Sequence, residues 1–343
     1  MKLVADAKIP YVREWFAPHF DIIQLESEQV IPSAIQQADI LLVRSTCKVN
    51  AALLEGSTIK IIASATSGFD HVDLDYVRKS ARQFFYAPGC NAHTVAEYVQ
   101  TAMRCLALDN LLPSPCRAGI IGVGRVGTAV ATQLQALGME IIYHDPPRAL
   151  IDPHFTSVPL EEFADCDVVS VHTPLTFEGP HPTFHFLSAD FFHTLKPGCV
   201  LLNAARGAVV DSQALLQEGQ HLRWILDVFE GEPAISPELV AGAYLATPHI
   251  AGHSVESHWR GVRQIYQQIF AACGLVCEPL PALPRPTLPE NTSEILHFYD
   301  PRVDTRALKT AVATHRDLSA FFSKLRQHYQ TRHEFSVAAN QQQ

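Results

Sequence analysis

The sequence predicts an α/β protein made of two doubly wound parallel-sheet domains followed by a small C-terminal segment. Three observations predict it. Residues 1–90 alternate short apolar runs with amphipathic ones, residues 119–145 place a glycine-rich turn between two apolar runs, and the alternation resumes after Asp145 and continues to residue 252. Such alternation is the pattern of a parallel sheet with helices on both faces. A chain of 343 residues is long enough for two or three domains, each with its own core.

In the first segment KLVADA, DIIQL, DILLVRS, IKIIASAT and QFFYAP read as strands, with helices near residues 12–16, Ile35, Leu53 and residues 73–79. Two of the turns after strands are polar: Arg44-Ser45-Thr46 and Thr66-Ser67-Gly68. Open α/β sheets bind ligands beyond the carboxyl ends of their strands. These turns therefore either grip a substrate or are polar only because βα loops commonly are. Pro88-Gly89-Cys90-Asn91 breaks the pattern, and a long helix is expected from Thr94, with Thr94 and Glu97 as a capping box and Val95, Val99, Met103 and Leu106 on its apolar face. It should stop before Leu112-Pro113-Ser114-Pro115 and bridge the two domains.

Gly122-x-Gly124-x-x-Gly127 then follows one apolar run and opens a helix whose apolar face carries Val130, Leu134 and Leu137. The three glycines permit a tight turn, a close approach of backbone to pyrophosphate, and close packing of helix on sheet. The helix N-terminus adds N–H donors and a partial positive charge. Asp145 ends the next apolar run, where a carboxylate accepts hydrogen bonds from the adenosine ribose and repels a 2′-phosphate. This combination points to NAD rather than NADP. It identifies a cofactor and says nothing of the substrate.

Beyond Asp145 come a helix near residues 160–163, the run DVVSVHTP, a helix near residues 189–195, CVLLNAARG, a helix over residues 212–218 capped by Asp211, RWILDVFEGEP and YLATPHIAG. Three of these strand ends carry groups suited to alcohol oxidation: Arg206 to clamp a carboxylate, His249 to take a proton, and Glu232 to fix the imidazole's tautomer and favour its charged form. Glu230 competes with Glu232 for that role.

A second long helix is expected over residues 254–273, with Val262, Ile265, Ile269 and Phe270 buried. Pro279, Pro281, Pro284, Pro286 and Pro289 mark a linker. The remainder, residues 290–343, offers one strand at residues 295–299 and one or two helices, the clearer bearing Leu318, Phe321, Phe322, Leu325 and Tyr329 at helical spacing. So small a piece should pack on the rest of the chain or on a second subunit.

The net charge of −9 without a basic run argues against nucleic acid. No apolar run is long enough to span a bilayer, and the opening residues lack the h-region of a signal peptide. Eight scattered cysteines include no CxxC pair and no metal-like cluster, and Cys273 and Cys277 read as small core residues one helical turn apart. The expectation is a reduced, cytoplasmic, metal-free protein.

G-V-G-R-V-G, H-T-P-L, N-A-A-R-G, D-V-F-E-G-E-P and T-P-H-I-A-G, in this order, resemble the D-isomer-specific 2-hydroxyacid dehydrogenase family across residues 1–275. Residues 43–45, 48–50, 68–73, 87–91, 145–148 and 206–211 further resemble a branch acting on a phosphorylated 2-hydroxy acid. The resemblance implies a flavodoxin-like substrate domain (residues 1–90 plus 253–280), a Rossmann NAD domain (91–252) and a C-terminal α+β domain (281–343) that pairs two copies into a homodimer. It implies that Arg206, Glu232 and His249 are catalytic. Gly122, Gly124, Gly127, Asp145, Thr173, Asp227 and Gly252 would bind NAD, and Ser45, Thr66 and His253 the substrate. Two departures stand out: His253 occupies a position where the family commonly has tyrosine, and the C-terminal domain is short. A different 2-hydroxy acid such as D-3-phosphoglycerate, or a non-catalytic NADH sensor, remain the alternatives.

Overall fold

The computed structural model describes residues 1–283, 295–314 and 317–335. Contacts divide the chain into two compact units: residues 1–91 with 254–286, and residues 92–253 with 287–343.

The first unit opens with β1 (Lys2–Asp6), α1 (Val12–Phe16), β2 (Asp21–Leu25), α2 (Pro32–Ile35), β3 (Ile40–Val43), α3 (Ala51–Leu54), β4 (Ile61–Ser64), α4 (Leu74–Lys79) and β5 (Gln83–Tyr86). The strands form one parallel sheet in the order β2-β1-β3-β4-β5. β3 and β4 are buried at every position, as strands covered on both faces must be. The turns bearing Arg44 and Thr66 leave the carboxyl ends of these two central strands.

The second unit begins with α5 (Ala92–Leu108), then β6 (Arg117–Ile121), α6 (Arg125–Ala136), β7 (Glu140–His144), α7 (Pro146–Ile151), β8 (Val168–Val171), α8 (Ala189–Thr194), β9 (Val200–Asn203), α9 (Ser212–Glu218), β10 (Arg223–Leu226), α10 (Pro237–Gly242) and β11 (Leu245–Ala246). Its parallel sheet runs β11-β10-β9-β8-β6-β7. The glycine turn thus follows a strand at the point where the order reverses, the place an α/β sheet offers to a ligand. α11 (Val255–Ala272) returns the chain to the first unit and packs Val262, Ile265, Ile269 and Phe270 with Leu3, Ala5 and Leu42.

α12 (Ile295–Phe298), α13 (Pro301–Thr314) and α14 (Leu318–Gln327) follow. Their apolar faces join the core of the second unit: Leu308 and Phe322 pack with Phe229, Leu239 and Val240, and Tyr299 with Tyr98 and Val99. The described part of the C-terminal segment is therefore packed into the second unit and is helical.

Several expectations are corrected. Residues 295–298 form a turn of helix, not a strand, because a helix closes its own backbone bonds where no sheet edge pairs with it. α5 starts at Ala92, so Thr94 and Glu97 lie inside it rather than opening it; Thr94 Oγ1 donates to Glu334 Oε1 at 2.5 Å and Glu97 Oε2 accepts from the Phe335 N–H at 3.1 Å. α11 ends before Gly274, which has φ +67°, so Cys277 lies past the helix and is exposed, whereas Cys273, the C-cap, is half-buried and packs against the core of the first unit. Helices α7 and α10 are additions, each started by a proline one or two residues past its cap. The proline-rich stretch carries no regular structure through residue 283, and its later prolines, Pro284, Pro286 and Pro289, lie outside the described residues.

Candidate active site

The glycine turn after β6 has the shape of a phosphate cradle. Gly122 has φ +81°, and a Cβ on Gly127 would stand 2.0 Å from the Gly122 carbonyl oxygen, so α6 can begin this close to the strand only without a side chain. A Cβ on Gly124 would meet nothing within 4 Å. Gly124 is the N-cap of α6, so open space lies where the helix presents its N–H groups.

Asp145 follows β7 and is fixed by two backbone donors: Oδ2 accepts from Val123 N at 2.7 Å and Oδ1 from Arg148 N at 3.0 Å. Each carboxylate oxygen keeps a further lone pair for a hydroxyl. Thr173, just past β8, has a shielded Oγ1 that meets no partner among the described residues. A cradle open at Gly124, a fixed carboxylate and an unsatisfied hydroxyl fit the pyrophosphate and ribose of NAD.

The ends of β9, β10 and β11 bring the candidate catalytic residues together. Arg206 follows β9; its carbonyl accepts from Asn203 Nδ2 at 2.9 Å and its Nη1 donates to the Ala205 carbonyl at 2.7 Å. A Cβ on Gly207 would lie 1.9 Å from the Phe229 carbonyl carbon. The Arg206 turn therefore rests directly on the backbone that leads to Glu232.

Glu232 Oε1 accepts from Phe229 N at 2.8 Å and Oε2 lies 2.7 Å from His249 Nδ1. Burial works against its charge, but His249, by charge and hydrogen bond, the Phe229 N–H and Arg326 outweigh it and hold the carboxyl below its usual range. Glu230 is engaged elsewhere, with its Oε1 2.7 Å from His185 Nε2. Of the two glutamates, Glu232 is the one that stands beside His249.

His249 sits at φ +58°, a rare conformation for a residue with a side chain, and its N–H donates to the Asp227 carbonyl at 2.7 Å. With Nδ1 held by Glu232, Nε2 is the nitrogen left for a reacting proton. Asp227 braces the same loop: Oδ1 accepts from Thr247 Oγ1 at 2.7 Å and Ile250 N at 2.8 Å, and Oδ2 from Ala251 N at 2.9 Å. At 1% exposure, its carboxylate serves the loop that carries His249 and Gly252.

His253 ends that loop. Its N–H donates to the Ile250 carbonyl at 2.9 Å and its ring meets Tyr329 edge-on, with centroids 6.2 Å apart. In the first unit Ser45 is exposed after β3, and Thr66 Oγ1 donates to the Gly68 carbonyl at 2.8 Å. Arg44 Nε donates to Asp6 Oδ1 at 2.9 Å and Nη2 to Ser27 Oγ at 3.2 Å.

Sequence reasoning missed Arg326, whose Nη1 lies 3.9 Å from Glu232 Oε2. No motif announces it, since the contact joins residues far apart in the chain.

Residues 103–251 match the family model for the D-isomer specific 2-hydroxyacid dehydrogenase NAD binding domain. The chain is 36% identical to an erythronate-4-phosphate dehydrogenase of Legionella pneumophila over 98% of this chain and 96% of the other. It is 38% identical to one of Coxiella burnetii over 98% and 94%. The fold superposes on an NAD-bound 3-phosphoglycerate dehydrogenase of Entamoeba histolytica with a TM-score of 0.68 and 26% identity, covering 80% of this chain and 96% of that one. With similarity running through nearly its whole length, the chain belongs to the D-isomer-specific 2-hydroxyacid dehydrogenase family, a family of NAD-dependent oxidoreductases.

Proposed function

We propose that the protein oxidises 4-phospho-D-erythronate at C2 to 2-oxo-3-hydroxy-4-phosphobutanoate, a step toward pyridoxal 5′-phosphate. The observation that carries this reading is the 2.7 Å His249–Glu232 pair beside the Arg206 turn, in a chain similar over 98% of its length to erythronate-4-phosphate dehydrogenases.

NAD, when bound, supplies the hydride acceptor. Arg206 holds the C1 carboxylate through its guanidinium. His249 Nε2 takes the C2 hydroxyl proton as the C2 hydride departs, and Glu232 stabilises the resulting imidazolium. In the reverse direction His249 returns that proton to the carbonyl oxygen. Asp145 accepts the adenosine ribose hydroxyls, Gly122, Gly124 and Gly127 admit the pyrophosphate, and Thr173 supplies a hydroxyl. Asp227 serves the cofactor by fixing the loop of Gly252. Ser45, Thr66 and His253 are the proposed substrate contacts. Arg44, oriented by the buried Asp6, is the proposed partner of the phosphate.

Two copies would pair through the C-terminal segment, and the protein would work in the cytoplasm. No described helix is long and apolar enough to cross a membrane.

Following nicotinamide absorbance with a panel of 2-hydroxy acids and their keto acids tests the reading. Turnover confined to 4-phosphoerythronate and its keto acid is expected. Preference for D-3-phosphoglycerate would move the substrate assignment, and no turnover with any acid would favour an NADH sensor.

A further inference from the structure

The C-terminal segment reaches the catalytic loop by a route that pairing of two copies does not require. Arg332, only 7% exposed, points its guanidinium into the loop after β11. Its Nη1 donates to the carbonyls of Ile250 and His253, both at 3.1 Å, and its Nη2 to that of Ala251 at 2.8 Å. Nη2 also reaches the Thr94 carbonyl at 3.3 Å, on the first turn of α5, and the guanidinium carbon lies 4.3 Å from the centre of the Tyr299 ring. Three of the four residues that follow His249 are thus held by one side chain more than seventy positions further along.

The other side of the catalytic pair meets the same segment. Arg326, at the end of α14, stands 3.9 Å from Glu232 Oε2, and Phe322, one turn earlier, packs edge-on against Phe229, whose N–H holds Glu232 Oε1. Glu334 and the Phe335 N–H anchor the chain just past Arg332 to Thr94 and Glu97.

Burying a guanidinium is costly unless its donors are satisfied. A surface for pairing could be built without one. A planar fork placed on successive carbonyls fixes a loop in a single conformation, which is what His249 needs at φ +58°. We infer that Arg332 and Arg326 are positioning residues for the catalytic pair, Arg332 setting the His249 loop and Arg326 supplying a cation beside Glu232, so that residues 318–335 complete the active site of their own chain. The inference rests on the assignment of His249 and Glu232 as the catalytic pair.

The test compares Arg332→Gln, Arg332→Ala, Arg326→Gln and His249→Ala in the full-length enzyme. For Arg332→Gln, kcat should fall about 100-fold while KM and NADH affinity change little, since a misplacement of order 1 Å costs about that much. Guanidinium ion at millimolar concentration should partly restore kcat to Arg332→Ala and do nothing for His249→Ala.

Among the described residues, Asp227 after β10 acts on His249 and Arg326 on α14 acts on Glu232, and the Arg206 turn lies beside the pair. Removing the Arg326 cation should therefore move the acid limb of kcat/KM, set by the coupled pair, to higher pH. Arg326 is about a quarter exposed, so this variant should fold even if those at Arg332 do not. A folded Arg332→Gln with unchanged kcat, or an Arg326→Gln with the wild-type pH profile, would overturn the inference. Loss of activity explained wholly by dissociation of a dimer, seen by sedimentation, would also overturn it. An active His249→Ala would instead remove the catalytic assignment on which it stands.

Discussion

His249 Nδ1 lies 2.7 Å from Glu232 Oε2, although the two residues leave the ends of different strands. The sequence brings them together only through the parallel order β9-β10-β11, which sets their turns side by side. A positioned acid/base contributes about 100- to 10,000-fold to such reactions. His249→Ala should lose that factor in kcat while NADH binding, followed by fluorescence, stays near wild type. Glu232→Gln should retain more activity than His249→Ala, because the amide can still orient the ring but cannot stabilise its charge. Equal kcat for wild type and His249→Ala would refute the role.

The Asp145 carboxylate is held by the N–H groups of Val123 and Arg148, so its charge is fixed beside the glycine turn. Asp145→Ala should raise KM for NAD at least tenfold and leave KM for NADP unchanged or lower, since the repulsion of a 2′-phosphate disappears. Steady-state kinetics with both cofactors measures this. An unaltered NAD/NADP ratio would place the ribose elsewhere.

Much of the fold was legible because strands such as ILLV and IIAS are apolar at every position but Ser64 and their turns are punctuated by polar residues or glycine. β2 and α9 fall at the predicted residues, Asp21–Leu25 and Ser212–Glu218. The glycines, Asp145 and the strand-end triad were visible as local motifs. What escaped was set by tertiary contact. Thr94 and Glu97 had the spacing of a cap, yet their side chains meet residues 334 and 335. Residues 295–299 read as a strand because ILHFY is a short, mostly apolar run, which periodicity does not distinguish from a turn of helix. The choice between Glu230 and Glu232 depended on where His185 and His249 stand in space.

Gly207 lies where the Arg206 turn crosses the backbone of Phe229 and Glu230, and a methyl group there would fall 1.9 Å from the Phe229 carbonyl carbon. Backbone cannot rotate away as a side chain can. Gly207→Ala should therefore push the turns of Arg206 and Glu232 apart, at a stability cost on the order of 1–3 kcal/mol. The expected signature is a fall in kcat larger than for Gly124→Ala, whose Cβ meets nothing within 4 Å among the described residues and would instead weaken NAD binding. Denaturant titration and kinetics on the two variants check this. Wild-type kcat in Gly207→Ala would show that the turns tolerate separation.

Burial raises the Asp304 carboxyl from its ordinary 3.8 to about 6. Below pH 3.8 both folded and unfolded chains carry the proton, and Asp304 contributes no pH dependence. Between that value and about 6 the unfolded chain ionises while the folded one keeps its proton, so stability falls as pH rises. Above 6 the whole penalty is in place, at most about 3 kcal/mol for a shift of roughly two units. Asp304→Asn removes the ionisation and with it the penalty, although it also takes a carboxylate from the surroundings of Arg332. Relative to wild type, the variant should thus be more favourable at pH 8 than at pH 4, and urea unfolding at the two pH values measures the difference. An equal ΔΔG at both would mean that Asp304 titrates alike in the folded and unfolded chains.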